Sequence, residues 1–80
     1  MRKVMVFEQA NCPQCRMTLS WLDAHSISYR CFSLDKHPEY REKLRAQGFL
    51  MTPVVFVGDQ GWSGFRPAQL SLMLGGVLHA

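Results

Sequence analysis

The sequence has no long apolar run, no block of like charge and no repeated or low-complexity segment. A membrane-spanning helix needs about 18 or more consecutive apolar residues, so we expect no membrane partner. The stretch 1–8 places only four apolar residues between a basic pair and an acidic residue, too few for the core of a signal peptide. These absences predict a cytoplasmic protein.

Charge is neither abundant nor one-sided. Nine lysines and arginines stand against six acidic residues, for a net charge of +3, and they are scattered along the chain. A nucleic-acid-binding domain gathers its cations on a patch or stripe, so we expect no nucleic-acid partner. With 48% apolar and 19% charged residues in 80 positions, the composition predicts one compact domain, residues 1–80, and we expect a monomer.

Cysteine is scarce, and its number is odd. Three cysteines in a reducing compartment do not make a disulfide framework, so the close pair Cys12 and Cys15 indicates either redox chemistry or a metal site. Cys31 stands alone in a strand-like run and is predicted to be a buried structural thiol.

Apolar periodicity predicts the element order β-α-β-α-β-β-α. The predicted strands are residues 2–7, 27–34 and 54–57 and, after a hairpin turn at 58–61, a short stretch around Trp62 and Ser63. The predicted helices start at Pro13, cover residues 39–47 with Gly48 as the cap, and start at Pro67 with an apolar stripe that runs to Val77, past a fraying point at Gly75-Gly76. The crossover rule makes the first two strands parallel, and the hairpin is antiparallel. The fold class is therefore α/β, with a small mixed sheet covered by helices.

The position of the thiol pair indicates its chemistry. Cys12 caps the helix that Pro13 opens, where free backbone N–H groups and the helix dipole favour a thiolate, and Arg16 adds a nearby positive charge. Cys15 lies one turn further on, on the stripe that faces the sheet. That broad stripe comprises Cys15, Leu19 and Leu22 with Met17, Trp21 and Ala24 on an adjoining row. We therefore predict that Cys12 attacks a substrate disulfide and that Cys15 then displaces the substrate as the Cys12–Cys15 disulfide forms.

A metal site is the alternative use of the pair. Cys12, Cys15, His25 and Cys31 could make four zinc ligands, and an iron–sulfur module would use the same pair. Against this, the pair follows a strand and opens a helix, and His25 lies at the far end of that helix, roughly 15 Å from Cys12 at a rise of about 1.5 Å per residue. We favour redox chemistry and expect no bound metal and no cofactor beyond the redox-active disulfide.

Two motifs together resemble a known family. Cys12-Pro13-Gln14-Cys15 at a helix start, and Thr52-Pro53 some forty positions later before the strongest strand, resemble the glutaredoxin branch of the thioredoxin fold over essentially the whole chain. The resemblance implies a four-stranded mixed sheet with three helices. It also implies that Pro53 is cis and faces the thiols, and that the backbone at Thr52 pairs with an incoming substrate as an added strand. Pro13 and Gln14 are expected to help set the redox potential.

Two further stretches, "RAQGF" at 45–49 and "WSGFRP" at 62–67, are similar to the NrdH-redoxins, small bacterial proteins. This resemblance implies an electron carrier that is reduced by NADPH-dependent thioredoxin reductase and that reduces a class Ib ribonucleotide reductase. It adds Trp62, Ser63, Gly64, Phe65 and Arg66 to the predicted partner-binding residues. A purely structural role is an equal interpretation, in which Trp62 and Phe65 cap the core while Ser63 and Arg66 hold the turn.

The sequence also differs from ordinary glutaredoxins at two places, and both differences favour the resemblance to the NrdH-redoxins. That family commonly holds glutathione with a basic residue just before the cysteine pair and a Gly-Gly-x-Asp segment at the start of the last helix. Here residues 8–11 read EQAN and residues 63–68 read SGFRPA. Both contacts to glutathione are predicted to be missing, although the Gly64 backbone N–H remains available to it. A glutathione-dependent glutaredoxin is the alternative enzyme.

Overall fold

A computed structural model of the chain describes residues 3–75, and within them the predicted element order is confirmed. The elements are β1 (Val4–Glu8), α1 (Pro13–Ala24), β2 (Arg30–Ser33), α2 (Pro38–Ala46), β3 (Val54–Val57), β4 (Gln60–Ser63) and α3 (Pro67–Leu74). No helix in this part of the chain has the length and apolar character needed to cross a membrane.

The four strands form one mixed sheet in the order β2-β1-β3-β4. β1 is parallel to β2 and the β3–β4 hairpin is antiparallel, as predicted. The structure adds that β1 and β3 are antiparallel neighbours. β1 therefore lies in the middle of the sheet with neighbours on both sides. Its apolar run follows from this position, because both of its faces are covered.

Side chains of the central strands alternate between two apolar layers. Val4 and Val6 of β1 face a core that α1 and α3 cover, and Phe7 faces a smaller core under α2. The first core contains Val4, Val6, Leu22, Val55, Val57, Trp62, Leu70 and Leu74, and the second Leu34, Leu44 and Val54 with four half-buried aromatic rings. Each fully buried aliphatic side chain contributes about 1.5–3 kcal/mol to stability, so these layers hold the loops that carry the thiols.

Several predicted boundaries were wrong or lie outside the described residues. The strand predicted at 27–34 is only Arg30–Ser33, because the preceding segment is held against α1, where the Ile27 N–H donates to the Leu22 carbonyl at 2.9 Å. The hairpin turn is shorter than predicted, since a φ of 63° at Gly58 allows Gln60 to pair with Val57 already. Arg2, Gly76 and Val77 fall outside residues 3–75.

The end of α2 agrees with the sequence. Gly48 follows the capping residue Gln47 with a φ of 95°, and its N–H donates to the Arg45 carbonyl at 2.9 Å. A glycine is favoured there because a left-handed conformation clashes with a Cβ atom. This turn sets the direction in which the chain returns toward Thr52.

Candidate active site

The two thiols lie at the N-terminus of α1 and form a disulfide. Cys12 is the N-cap residue and Pro13 the first helical residue, as predicted. Asn11 has a φ of 56°, which turns the chain from β1 into the helix. The backbone N–H of Cys15 donates to the Cys12 Sγ at 3.2 Å, so the sulfur occupies the place of a capping acceptor. A thiolate at that position is stabilised by the same N–H and by the helix dipole.

Cys12 is more exposed than Cys15, as the sequence predicted. Cys15 is 1% exposed and Cys12 is 8% exposed. Cys12 is thus the more accessible of the pair, although it is itself largely buried and Thr52 contacts its sulfur. A substrate disulfide can therefore reach Cys12 more readily than Cys15.

Thr52 and Pro53 lie beside the disulfide. The Thr52–Pro53 peptide bond is cis, as the resemblance implied, and Pro53 is fully buried. The Thr52 hydroxyl donates a hydrogen bond to the Cys12 Sγ at 3.4 Å. Hydrogen bonds to the charged form of a group favour that form, so this hydroxyl would also favour a Cys12 thiolate in the reduced protein.

The WSGFRP segment joins the cis-proline to the cysteine helix. The N–H of Gly64 donates to the Pro53 carbonyl at 2.8 Å, and the N–H of Phe65 donates to the Gln14 side-chain oxygen at 2.8 Å. Gly64 has a φ of 89°, and a Cβ atom there would lie 3.1 Å from that oxygen. The contact between Gln14 and Phe65 was not predicted, because nothing in the sequence spacing connects positions so far apart.

The other residues of the segment have positions in the core, the sheet and the start of α3. Trp62 is 6% exposed and belongs to the main core, so it supports the loop from beneath and offers a partner little surface. Ser63 pairs with Val54 in the sheet. Arg66 is exposed and is the N-cap residue of α3, without a side-chain capping bond. The structural interpretation thus applies to Trp62, while Gly64 and Phe65 reach the site.

The inner face of α1 is narrower than predicted. The buried residues are Cys15, Thr18 and Leu22, and the Thr18 hydroxyl donates to the Gln14 carbonyl at 2.9 Å. Thr18 was missed as a core residue, although its spacing of three from Cys15 and four from Leu22 places it on that face. Met17, predicted on the apolar row against the sheet, is instead 49% exposed.

A surface depression next to Pro13 is bordered by Met17 and Trp21 of the predicted apolar row. Its volume is about 520 Å³, and it lies between the first three turns of α1 and Phe65 of the WSGFRP loop. Its lining residues are Pro13, Arg16, Met17, Ser20, Trp21 and Phe65. Most of this lining is apolar, and the depression adjoins the cysteine motif through Pro13.

Comparison with known proteins assigns the family. The glutaredoxin family model matches residues 4–62. The glutaredoxin-like protein NrdH of Lactococcus lactis subsp. cremoris is 40% identical over 68 residues, which cover 85% of this chain and 94% of that protein. Its counterpart in Escherichia coli K12 is 36% identical over 69 residues, covering 86% of this chain and 85% of that protein.

A solved structure agrees with the sequence relatives. The E. coli NrdH-redoxin, a glutaredoxin-like protein with a thioredoxin-like activity profile, superposes with a TM-score of 0.85 at 35% identity, covering 89% of this chain and 93% of that one. The chain belongs to the glutaredoxin family, in its NrdH-redoxin branch. The predicted thioredoxin fold is confirmed with it, and the Cys12–Cys15 pair makes this redoxin a thiol–disulfide oxidoreductase.

Cys31 does not have the buried position that the sequence predicted. It is exposed on β2, and its Sγ donates to the Glu8 Oε2 at 3.3 Å. β2 is an edge strand of the redoxin, so the sheet covers its side chains on one flank only. Partial desolvation, then the hydrogen bond to Glu8 and its negative charge, raise the pKa of the Cys31 thiol to about 11. At neutral pH this third thiol is therefore held protonated.

The zinc alternative loses its ligand set in this fold. His25 ends α1 and stacks on Trp21, with its Nδ1 within 2.8 Å of the Trp21 carbonyl. Cys31 pairs with Glu8 instead of the cysteine motif. Over residues 3–75 no three side chains from His, Cys, Asp and Glu come together as metal ligands would. His25 and Cys31 are thus not grouped with the cysteine pair in this part of the chain.

Proposed function

We propose that this redoxin carries electrons from NADPH-dependent thioredoxin reductase to a class Ib ribonucleotide reductase in the bacterial cytoplasm, as a monomer. The Cys12 thiolate attacks a sulfur of the partner disulfide, forming a mixed disulfide and releasing the other partner sulfur as a thiolate. Cys15, which loses its proton, then attacks the Cys12 sulfur and expels the second partner thiolate. The partner has gained two electrons, and the redoxin is left with the Cys12–Cys15 disulfide, which the reductase reduces again.

The observation that favours thioredoxin reductase over the glutathione system is the sequence at the start of α3. Glutaredoxins hold glutathione there with an acidic residue, whereas α3 of this redoxin has no acidic residue in its first turn and begins at Arg66-Pro67. The Gly64 N–H is already bonded to the Pro53 carbonyl, so it does not offer glutathione a free donor. Residues 8–11 also lack a basic side chain before Cys12. Glutathione is therefore left with few of its usual contacts.

The apolar depression supplies a surface for the reductase instead. Phe65 and Met17 border it, and Pro13 connects it to the reactive sulfur. Exposed apolar surface with a polar rim is typical of protein interaction sites. A reductase that covers this depression would bring its own thiols to Cys12 without needing glutathione.

The test compares two reducing systems on one oxidised protein. NADPH consumption is followed with thioredoxin reductase, and separately with glutathione and glutathione reductase, while the redoxin reduces a model disulfide. We expect faster turnover with thioredoxin reductase, and then deoxyribonucleotide formation when the class Ib enzyme of the same organism is added. Faster turnover with glutathione would contradict the proposal and identify a glutathione-dependent glutaredoxin.

A matched pair of variants locates the reductase surface. Met17→Ser removes an exposed apolar side chain of the depression, and Leu72→Ser removes one on α3 that is 77% exposed and outside it. We expect Met17→Ser to lower kcat/KM with thioredoxin reductase about threefold to tenfold, the usual scale of one apolar interface contact, and Leu72→Ser to leave it unchanged. Equal values for the two variants would place the reductase elsewhere.

A further inference from the structure

A second groove lies between α2 and the segment that ends at Thr52, and it shares no lining residue with the depression proposed for the reductase. Its volume is about 290 Å³. Its lining residues are Gln9, Leu34, Arg41, Leu44, Arg45, Phe49, Leu50, Met51, Thr52 and Val54. Thr52 is shared with the active site, because its hydroxyl contacts the Cys12 sulfur. A substrate bound at Cys12 can therefore extend directly into this groove.

The groove carries positive charge, and none of its lining residues in the described part of the chain is acidic. Arg41 and Arg45 are four positions apart on α2 and so lie on one face of the helix. Arg41 is held in place: its Nη1 donates to the Gln9 side-chain oxygen at 2.8 Å, and its Nη2 lies 3.6 Å from the Asp35 carboxylate. The Arg45 guanidinium has no ion-pair partner among residues 3–75 and remains available to a ligand.

The remaining wall is apolar and unusually exposed. Leu50 is 75% and Met51 65% exposed, and both immediately precede Thr52. Thr52 itself lies outside β3 and forms no backbone hydrogen bond within the described part of the chain. Its N–H and C=O groups can therefore pair with an added strand, and the neighbours of that strand would lie over Leu50 and Met51.

Strand pairing at Thr52 is already implied by the family resemblance; we propose in addition that this groove selects partner segments that carry a carboxylate near the reactive cysteine. The inference rests on the proposed function, since it describes which disulfides the redoxin reduces fastest. Thr52 pairs with the backbone of the segment, Leu50 and Met51 cover its apolar side chains, and Arg45 binds its carboxylate. The positive groove also raises the encounter rate with an acidic segment.

The test uses two synthetic peptides and needs neither proposed partner enzyme. Each peptide contains one internal disulfide, and they differ only in having Asp or Asn at the positions that flank one cysteine. Reduced redoxin is mixed with each peptide, the reaction is stopped with acid, and the peptide thiols are measured against time. We expect the Asp peptide to be reduced faster than the Asn peptide at low salt, and the difference to shrink as salt is added.

Charge-neutral variants then assign the effect to the groove. Arg45→Gln is compared with Lys43→Gln, which makes the same change on the same helix outside this groove. An exposed ion pair is weak, so we expect Arg45→Gln to slow reduction of the Asp peptide by about threefold and to leave the Asn peptide unchanged. Lys43→Gln should leave both rates unchanged. A small neutral disulfide should react equally with all three proteins, which establishes that the thiols are intact.

Three outcomes overturn the inference. The first is an equal loss in Arg45→Gln and Lys43→Gln, which would indicate only general charge attraction. The second is an equal loss for both peptides, and the third is a larger effect of Arg45→Gln on glutathione disulfide than on the Asp peptide, which would make the groove a glutathione site. Because no reductase takes part, these results leave the proposed electron donor to be tested separately.

Discussion

The hydroxyl of Thr52 donates a hydrogen bond to the sulfur of Cys12 across forty positions of the chain. This contact joins the cis-proline turn to the start of α1, and it also gives the predicted nucleophile a donor besides the Cys15 N–H. Both donors would favour the charged form of Cys12 after reduction.

Replacing that donor should make Cys12 less reactive. In Thr52→Val the shape is kept and the hydroxyl is lost, so the pKa of the Cys12 thiol should rise and its alkylation rate at pH 7 should fall about threefold to fivefold, the equivalent of one hydrogen bond. Thr52→Ser retains a hydroxyl and is the control, with a rate close to the original. An unchanged rate in Thr52→Val would contradict a role for this hydrogen bond.

The bond between Gln14 and Phe65 should contribute to stability. Gln14→Met keeps the length of the side chain but removes the acceptor, so the free energy of unfolding in urea should fall by about 1 kcal/mol. Gln47→Met is the matched control, because Gln47 is exposed at the end of α2 and its side chain accepts no such bond within residues 3–75. If both variants unfold at the same urea concentration, the Gln14 bond contributes nothing measurable.

Gly64 is predicted to be required both for its left-handed backbone conformation and for its close contact with Gln14. Gly64 and Gly48 have similar φ values, 89° and 95°. An added Cβ at Gly64 would lie 3.1 Å from the Gln14 oxygen, whereas one at Gly48 would have no atom of residues 3–75 within 4 Å. Both alanine variants bear the cost of a left-handed alanine, about 1 kcal/mol or more. We expect Gly64→Ala to lose more stability than Gly48→Ala and to reduce disulfides more slowly. Equal losses in stability and rate would show that the contact with Gln14 is unimportant.

The sequence predicts the architecture of this redoxin better than its long-range contacts. The runs in β1 and β3 predict central strands because both faces are covered, and Pro13 and Gly48 mark helix ends through their own backbone preferences. Local preferences do not indicate that Gln14 meets Phe65. The cis bond at Pro53 came from the resemblance alone, since an X-Pro bond in a folded protein is trans about 95% of the time.

The remaining wrong predictions concern which face of a helix or strand the rest of the protein covers. Cys31 is apolar enough to be buried in a strand, but β2 lies at the sheet edge, and strand order is a property of the whole fold. Met17 continues an apolar row of α1 that the small sheet does not reach. In both cases the residue type was interpreted correctly as apolar, and the topology decided its exposure.

The raised pKa of Cys31 predicts a loss of stability in alkali. A thiol whose pKa rises on folding, here from 9.0 to about 11, binds its proton more tightly in the folded state. Its contribution to stability is therefore complete below about pH 9 and is lost between about pH 9 and 11. Urea unfolding at a series of pH values should show a steeper decline in this window for the original protein than for Cys31→Ser. Identical pH profiles for the two proteins would contradict the prediction.

Removing the charge of Glu8 should make the Cys31 thiol more reactive. In Glu8→Gln the negative charge next to the thiol is gone, so the pKa of Cys31 should fall and its alkylation at pH 8 should become faster. Glu42→Gln on α2 removes an equal charge elsewhere and should have no effect. Mass spectrometry of the labelled peptide distinguishes Cys31 from the other thiols, and an unchanged labelling rate would argue against the role of Glu8.

The different roles of Cys12 and Cys15 can be tested by trapping the mixed disulfide with a partner protein. Cys15→Ser cannot complete the second displacement, so it should accumulate a mixed disulfide with a partner protein through Cys12. Cys12→Ser should trap little, because Cys15 is 1% exposed. Non-reducing electrophoresis followed by mass spectrometry identifies the linked cysteine, and trapping mainly through Cys15 would reverse the assigned roles.

The most direct measurement is the alkylation rate of each cysteine in the fully reduced protein as a function of pH. Cys12 should react fastest, and its rate should reach half its maximum well below pH 8.5, where an ordinary cysteine does so, while Cys15 stays unlabelled until the protein unfolds. If Cys12 stays unlabelled at neutral pH, or if Cys15 is labelled first, then the sulfur at the start of α1 is not the nucleophile.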